Sequence, residues 1–371
     1  MKKPLNVIVS GLGRIAWKYH IPHIMAHEGF RLLAVADPMM ERLDEATAMW
    51  PGIRAYSSFH EMCDVETSAD MAVIASPTLF HKEQTLVAFQ HGLGVFLEKP
   101  MCANLSDAQI LADTSRAIGC KLMLYQPHRT RGEFITLNST IRDKLGTIFH
   151  CRRVVSMFDR RNDWQSRTSC GGGMLNNYGA HFIDQFLAAF GSPISVIGAS
   201  MKHIVGIGDA EDFVNIMMQA PSGVTCSLEI SLCNPDFEDS WTIFGSLGKA
   251  TWNLTDEKWR IKMVRPEMLK KLELQKTQAA DGRAYSQEGQ IPWLEEEVST
   301  RDFPQTDYYN HIHAYFSEGA TPFVPLEETM EVMRVMEECR RLAGREQGPK
   351  HLAVSPLRCK RPPPNDSKEG V

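Results

Sequence analysis

At 371 residues the chain is longer than one hydrophobic core usually serves, so about two domains are expected. Hydrophobic residues at 43% and charged residues at 23% exclude a chain disordered throughout. Lys and Arg number 40 and Asp and Glu 45, a balance of −5 that excludes a broad surface for nucleic acid; no run approaches the ~18 apolar residues that span a bilayer, so no membrane partner is expected either.

Met1-Lys2-Lys3 is followed only by Leu5 to Val9 before a glycine turn, which reads as a first strand rather than a signal peptide. Ile15 to His27 has helical spacing, with His20, His23 and His27 expected to pack or face solvent. Leu32 to Ala36 is a second strand, and Met40 to Met49 a helix closed by Pro51-Gly52. Met71 to Ala75 is a third strand, followed by a helix from His81 to His91 that His81 is expected to cap. Val95 to Leu97 is a fourth strand, Ser106 to Ile118 a helix capped by Ser106, and Lys121 to Tyr125 a fifth strand. Wholly apolar strands alternating with helices indicate a doubly wound α/β domain on a parallel sheet over residues 1–126.

After a helix near Phe134 to Lys144 the pattern changes. Thr147–Met157, Ile194–Val205, Phe213–Gln219, Val224–Leu232, Trp241–Phe244 and Ala250–Asn253 read as strands. Short turns such as Pro221-Ser222-Gly223 join several of them, so residues 127–350 form an α+β domain with an antiparallel sheet. Thr255 to Gln305 is charged and poorly periodic, and reads as hairpins and loops. The helix Leu326 to Leu342 carries Met330, Val332, Met333 and Met336 as core filler. Residues 351–371 are a C-terminal extension, with a flexible tail expected at Arg361 to Ser367. Nine cysteines without a CxxC pair point to reduced thiols and a cytoplasmic location.

Gly11-Leu12-Gly13-Arg14-Ile15-Ala16 fits G-x-G-x-x-G/A between a strand and a helix. Gly11 permits the tight turn, Gly13 lets backbone approach a pyrophosphate, and the helix N-terminus supplies partial positive charge. Asp37, at the end of the next strand, is suited to the ribose hydroxyls of NAD. Arg42 is one turn away and leaves NADP open. Ser76-Pro77 and Glu98-Lys99-Pro100 end the third and fourth strands on the edge where open α/β sheets bind ligands, with His81 just beyond. Pro100 holds Lys99 extended there, where an ammonium can polarise a substrate oxygen.

Gly171-Gly172-Gly173 opens a helix on which Asn177, His181 and Asp184 share a face. A metal reading of His181 with Asp184 lacks a third ligand, and no metal is expected. Between Arg152 and Arg167 five arginines oppose two aspartates, a local +3 beside Trp164. These arginines either grip a carboxylated sugar or serve as surface and subunit contacts. Arg129 is expected to line the same cleft.

With these motifs in this order, the chain resembles the glucose–fructose oxidoreductase / inositol dehydrogenase (Gfo/Idh/MocA) family over roughly residues 4–345. The glycine motif, Ala72 to Thr78 with His81, Glu98-Lys99-Pro100, the triple glycine with Gly179 and His181, and Phe323-Val324-Pro325 carry the resemblance. It implies a Rossmann domain holding NAD or NADP, then a large, mostly antiparallel open-faced sheet that pairs subunits into a homodimer or homotetramer. It implies His181 as the base and Lys99 as the positioning cation for a hydroxyl of a sugar, cyclitol or sugar derivative. Asn177 stands where the family usually has an aspartate. The resemblance also keeps an NAD-recycling glycoside hydrolase or lyase of this fold in play, and the departure at Asn177 a non-catalytic dinucleotide-binding sensor.

Overall fold

The computed structural model describes residues 3–273, 290–303 and 307–345. The extension over residues 351–371 lies outside them.

The first sheet holds six parallel strands in the order β3-β2-β1-β4-β5-β6. They are β1 (Leu5–Ser10), β2 (Phe30–Ala36), β3 (Arg54–Tyr56), β4 (Met71–Ile74), β5 (Gly94–Leu97) and β6 (Leu122–Leu124). The crossovers carry α1 (Ile21–Ala26, preceded by a π turn at Ala16–His20), α2 (Met40–Met49), α3 (Phe59–Val65), α4 (His81–Gln90) and α5 (Leu105–Ile118). Alternate residues face opposite cores: Ile8, Ala34 and Ile74 on one side, Val7, Val9 and Val73 on the other. Because β1 and β4 are neighbours, the order reverses between them and opens a crevice at the strands' carboxyl ends.

Two details differ from the sequence reading. The N-cap of α5 is Asn104, whose Oδ1 accepts Asp107 N–H at 2.8 Å, while Ser106 Oγ only donates to Asn104. The short edge strand β3 and α3 carry too few residues to give a periodic signal.

The second sheet has eight strands in the order β14-β13-β12-β11-β7-β10-β9-β8. They are β7 (Ile148–Phe158), β8 (Ser195–Lys202), β9 (Phe213–Gln219), β10 (Thr225–Ser231), β11 (Cys233–Gly245), β12 (Gly248–Asn253), β13 (Lys258–Met263) and β14 (Leu294–Ser299). Only β7 and β10 pair in parallel. α6 (Gly132–Thr136) runs through a π turn into α7 (Arg142–Lys144), and α8 (Ala180–Phe190) packs Phe182, Ile183 and Phe186 into the sheet's core.

The stretch expected to hold hairpins and loops contains the antiparallel strands β13 and β14, joined by Lys258–Glu297 and Lys262–Glu295 ion pairs at 2.6 and 2.7 Å. After β14 the chain returns to the first sheet. α9 (Tyr308–His313) buries Tyr308, Tyr309 and Ile312 there. α10 (Leu326–Arg345) then wedges between the sheets, with Met333 in the first core and Val332, Val335 and Met336 in the second. The eight cysteines among the described residues are unpaired thiols, and no described helix is long and apolar enough to cross a membrane.

Candidate functional site

At the carboxyl end of β1 the chain turns on Gly11, whose φ of +86° suits glycine and whose added Cβ would lie 2.6 Å from Ser76 N. Gly13 is different: a Cβ there would meet nothing within 4 Å. One glycine is needed by the fold, and the other leaves open space beside the start of a helix. Arg14 and Ile15 are exposed there, while Leu12 is buried and donates its N–H to Asp37 Oδ2 at 2.8 Å. Asp37 also accepts Met39 N–H at 3.0 Å and Arg42 Nη1 at 3.2 Å. Its carboxylate therefore joins the glycine turn to the start of α2, with the exposed Arg42 laid over it. A tight turn, an open backbone and free amides at a helix start fit a dinucleotide.

Ser10 and Ser76 hydroxyls both donate to Gln84 Oε1, at 2.9 and 2.8 Å, a partner the sequence reading missed. His81 opens α4 but does not cap it. Its ring is buried between the carbonyl oxygens of Ser76 and Pro100, at 2.9 and 3.0 Å, and ties the ends of β4 and β5 together. Glu98 is buried as well. Its Oε2 accepts Lys99 N–H at 3.1 Å, and Oε1 lies 2.9 Å from His20 Nε2, whose Nδ1 meets Tyr309 OH at 2.9 Å. His20 is thus part of the floor of the crevice, brought there by a contact 78 residues long that no local pattern encodes.

Lys99 spans the cleft. Its Nζ donates to the backbone oxygen of Asn177 at 2.7 Å and lies 3.4 Å from that residue's Oδ1. Burial, opposed by Glu98 and reinforced by Arg14 and Arg161, brings its pKa down to about 8. Asn177 sits in a π turn (Leu175–Gly179) that leads into α8. Glu211 caps this turn by accepting Leu175 N–H at 3.0 Å, and Gly173, at φ +105°, leaves the space that Glu211 occupies.

His181 is 6% exposed at the start of α8. Its Nδ1 lies 2.9 Å from Gln126 Oε1, and its ring lies tilted against that of His128 with centroids 4.0 Å apart. Burial, then the charges of Lys99 and Arg131, push its pKa well below the usual imidazole range, so it is neutral near pH 7. Nε2 makes no hydrogen bond among the described residues. A neutral imidazole with a free lone pair beside a strand-end ammonium can take the proton of an alcohol while the cation steadies the oxygen.

Three expected contributors lie elsewhere. Arg129 does not offer its guanidinium to the cleft: it is bound to Asp184 at 2.5 and 2.7 Å and to Glu328 at 2.6 Å, a buried knot linking the segment after β6 with α8 and α10. Asp184 is fully buried, with the Arg129 guanidinium as its partner. No three His, Cys, Asp or Glu side chains among the described residues are grouped to hold a metal ion. The arginine-rich stretch is less of a patch than its count suggests. Arg153 is wholly buried against Asp239, its guanidinium 4.3 and 5.2 Å from the rings of Phe182 and Trp241. Arg161 pairs with Asp163, and Trp164 stays exposed on a single 3-10 turn.

Comparison with known proteins then fixes the family. Residues 5–126 match the oxidoreductase family with an NAD-binding Rossmann fold, and residues 136–251 match the GFO/IDH/MocA C-terminal domain. The chain belongs to the Gfo/Idh/MocA oxidoreductase family. An uncharacterized oxidoreductase of Schizosaccharomyces pombe is 25% identical over 62% of this chain and 64% of its own length. The D-glucoside 3-dehydrogenase of Escherichia coli is 25% identical over 51% of this chain and 55% of its own. Both alignments thus span less than two thirds of the relative. Among solved structures, the WlbA dehydrogenase of Bordetella pertussis in complex with NADH and UDP-GlcNAcA has a TM-score of 0.76 at 20% identity, covering 93% of this chain and 97% of that one. An NAD-binding protein from Listeria innocua scores 0.77 at 21% identity, over 92% and 96%. At these identities the likeness is one of fold. As a member of this family the chain is an NAD(P)-binding oxidoreductase.

Proposed function

We propose that the protein interconverts a secondary hydroxyl and a ketone on a sugar, cyclitol or sugar derivative, with His181 as base and Lys99 as electrostatic partner. The observation that carries this reading is the cleft itself: Lys99 reaches across it to Asn177 at 2.7 Å, four residues before a neutral His181 with an unbonded Nε2. A nicotinamide held in this crevice would supply the hydride acceptor for the carbinol carbon. His181 Nε2 receives the hydroxyl proton as the C=O bond forms, and the Lys99 ammonium faces the oxygen where negative charge builds. Asn177 presents an amide and a carbonyl, which hydrogen-bond Lys99 without neutralising it. Gly11, Leu12, Gly13, Arg14 and Ile15 would hold the pyrophosphate, Asp37 and Arg42 the adenosine ribose, and Ser76, Pro77, His81, Glu98 and Lys99 the nicotinamide half.

A sugar-like substrate is supported by related enzymes named a D-glucoside 3-dehydrogenase and an NADP(+)-linked scyllo-inositol 2-dehydrogenase of Bacillus subtilis. The outer face of the second sheet supports a homo-oligomer: His150, Arg152, Ser227, Thr242 and Thr251 lie there, exposed or half-buried.

A panel of sugars, cyclitols and sugar acids with NAD and NADP, read by nicotinamide absorbance, tests the reading. His181→Ala is expected to lower kcat by about 10²- to 10⁴-fold, the usual worth of a general base, and Lys99→Met to lower it comparably. Wild-type rates in both variants would remove the proposed centre. Product formed with no net change in absorbance would favour a lyase that recycles its cofactor.

A further inference from the structure

We infer that Gln126 is the positioning residue that sets the tautomer of His181; this rests on the function proposed above. Gln126 is buried two residues past β6, and its backbone is clamped by α9. Gln126 N–H donates to Tyr308 OH at 3.1 Å, and that hydroxyl donates to Leu124 O at 2.7 Å. The side chain has one orientation that satisfies both neighbours. Its Nε2 faces the carbonyl oxygen of Ala180 at 3.4 Å, and a carbonyl can only accept. Oε1 is therefore turned to His181 Nδ1 at 2.9 Å and also accepts. Nδ1 must carry the hydrogen, which leaves the lone pair on Nε2, the nitrogen that makes no other bond.

An amide in this place differs from the carboxylate of a histidine triad. A carboxylate orients the ring and also stabilises the imidazolium, raising the base's pKa. Gln126 orients it without adding charge. The other groups around the ring act in the same direction. Lys99 and Arg131 are both cationic, and His128, its ring centroid 4.0 Å away, is itself buried and held neutral. Nε2 is then unprotonated at neutral pH and open to the substrate proton, which the cations around it help return when the reaction runs toward the alcohol. Gln126 touches neither substrate nor cofactor, so its effect passes entirely through His181.

The experiment uses the full-length protein and three readouts. Imidazole ¹⁵N spectra of the wild type, assigned with His181→Asn, should show His181 as the Nδ1–H tautomer; an Nε2–H tautomer overturns the inference whatever the substrate proves to be. Gln126→Met keeps the volume and removes the acceptor. It should lower kcat between about tenfold and the ~10⁴-fold known for a mis-set tautomer, while the NADH affinity and the thermal midpoint stay at wild-type values. Unchanged kcat in a folded Gln126→Met protein overturns the assignment. If that variant unfolds, Gln126→Glu decides. A carboxylate beside Nδ1 should move the acidic limb of kcat/KM upward by about 1 to 3 pH units, and a stationary limb would reject the inference. Failure of every alcohol in the panel would instead count against the proposed function, because the tautomer spectrum needs no substrate.

Discussion

The two sides of the cleft are made of different material. The cofactor side is largely backbone: a glycine turn, free amides and the ends of neighbouring strands. The substrate side is assembled from side chains that meet across long separations. Lys99 meets Asn177 over 78 residues, Gln126 meets His181 over 55, and Arg129 meets Glu328 over 199. The cofactor side should therefore fail when an atom is added, and the substrate side when a partner is removed.

The largest effect is expected on the substrate side. Arg129→Met leaves Asp184 buried without its cation, and breaking a buried pair this way costs about 3–5 kcal/mol. Burial already raises the Asp184 pKa against the pull of Arg129, so the aspartate would take up a proton once alone. The thermal midpoint should fall accordingly, and kcat measured below the transition should remain near wild type, since Arg129 does not reach the substrate. Adding Asp184→Leu should restore part of the loss. A kcat that collapses while the midpoint holds would put Arg129 back in the binding cleft.

On the cofactor side the sharpest comparison is between two glycines two residues apart. Gly11→Ala forces a side chain into left-handed backbone, worth about 1–3 kcal/mol, and places Cβ against Ser76 N. The fold and cofactor binding should suffer together. Gly13→Ala meets open space, so the thermal midpoint should stay within about 0.5 kcal/mol equivalent while NADH titrations weaken. Equal loss of midpoint in the two variants would contradict the different roles assigned to them.

The same contrast explains what was legible in the sequence. The first sheet, its crevice and the strand-end positions of Asp37, Ser76 and Lys99 follow from apolar runs and turn residues, which are local signals. Over β13 the sequence shows only hairpins and loops without bounds, because charge density masks the alternation of Lys258, Arg260 and Lys262 with Trp259, Ile261 and Met263. Alternation, not average polarity, was the usable signal. His20, Gln126 and the Arg129–Asp184 pair had no such signal. Their roles depend on which residue lies opposite in space, and helical spacing, which groups Asp184 with Asn177 and His181, cannot show that its partner is Arg129.

The smallest predicted effect concerns the charge that links the two sides. Lys99 is a cation below about pH 8 and loses its proton above it, so kcat/KM should fall as pH rises through that value. Stability has the opposite sign. The unfolded lysine still binds a proton up to its ordinary 10.5, so between about 8 and 10.5 the unfolded chain holds more protons and this group makes stability rise with pH. Arg161 is one of the like charges that depress Lys99, and its removal also frees Asp163, a carboxylate. Arg161→Gln should therefore move the alkaline limb upward by a few tenths of a pH unit, the size of one solvent-screened charge at about 10 Å. A limb that stays put would mean that burial and Glu98 alone set the charge of Lys99, and that the arginines of this loop are electrically remote from the reaction.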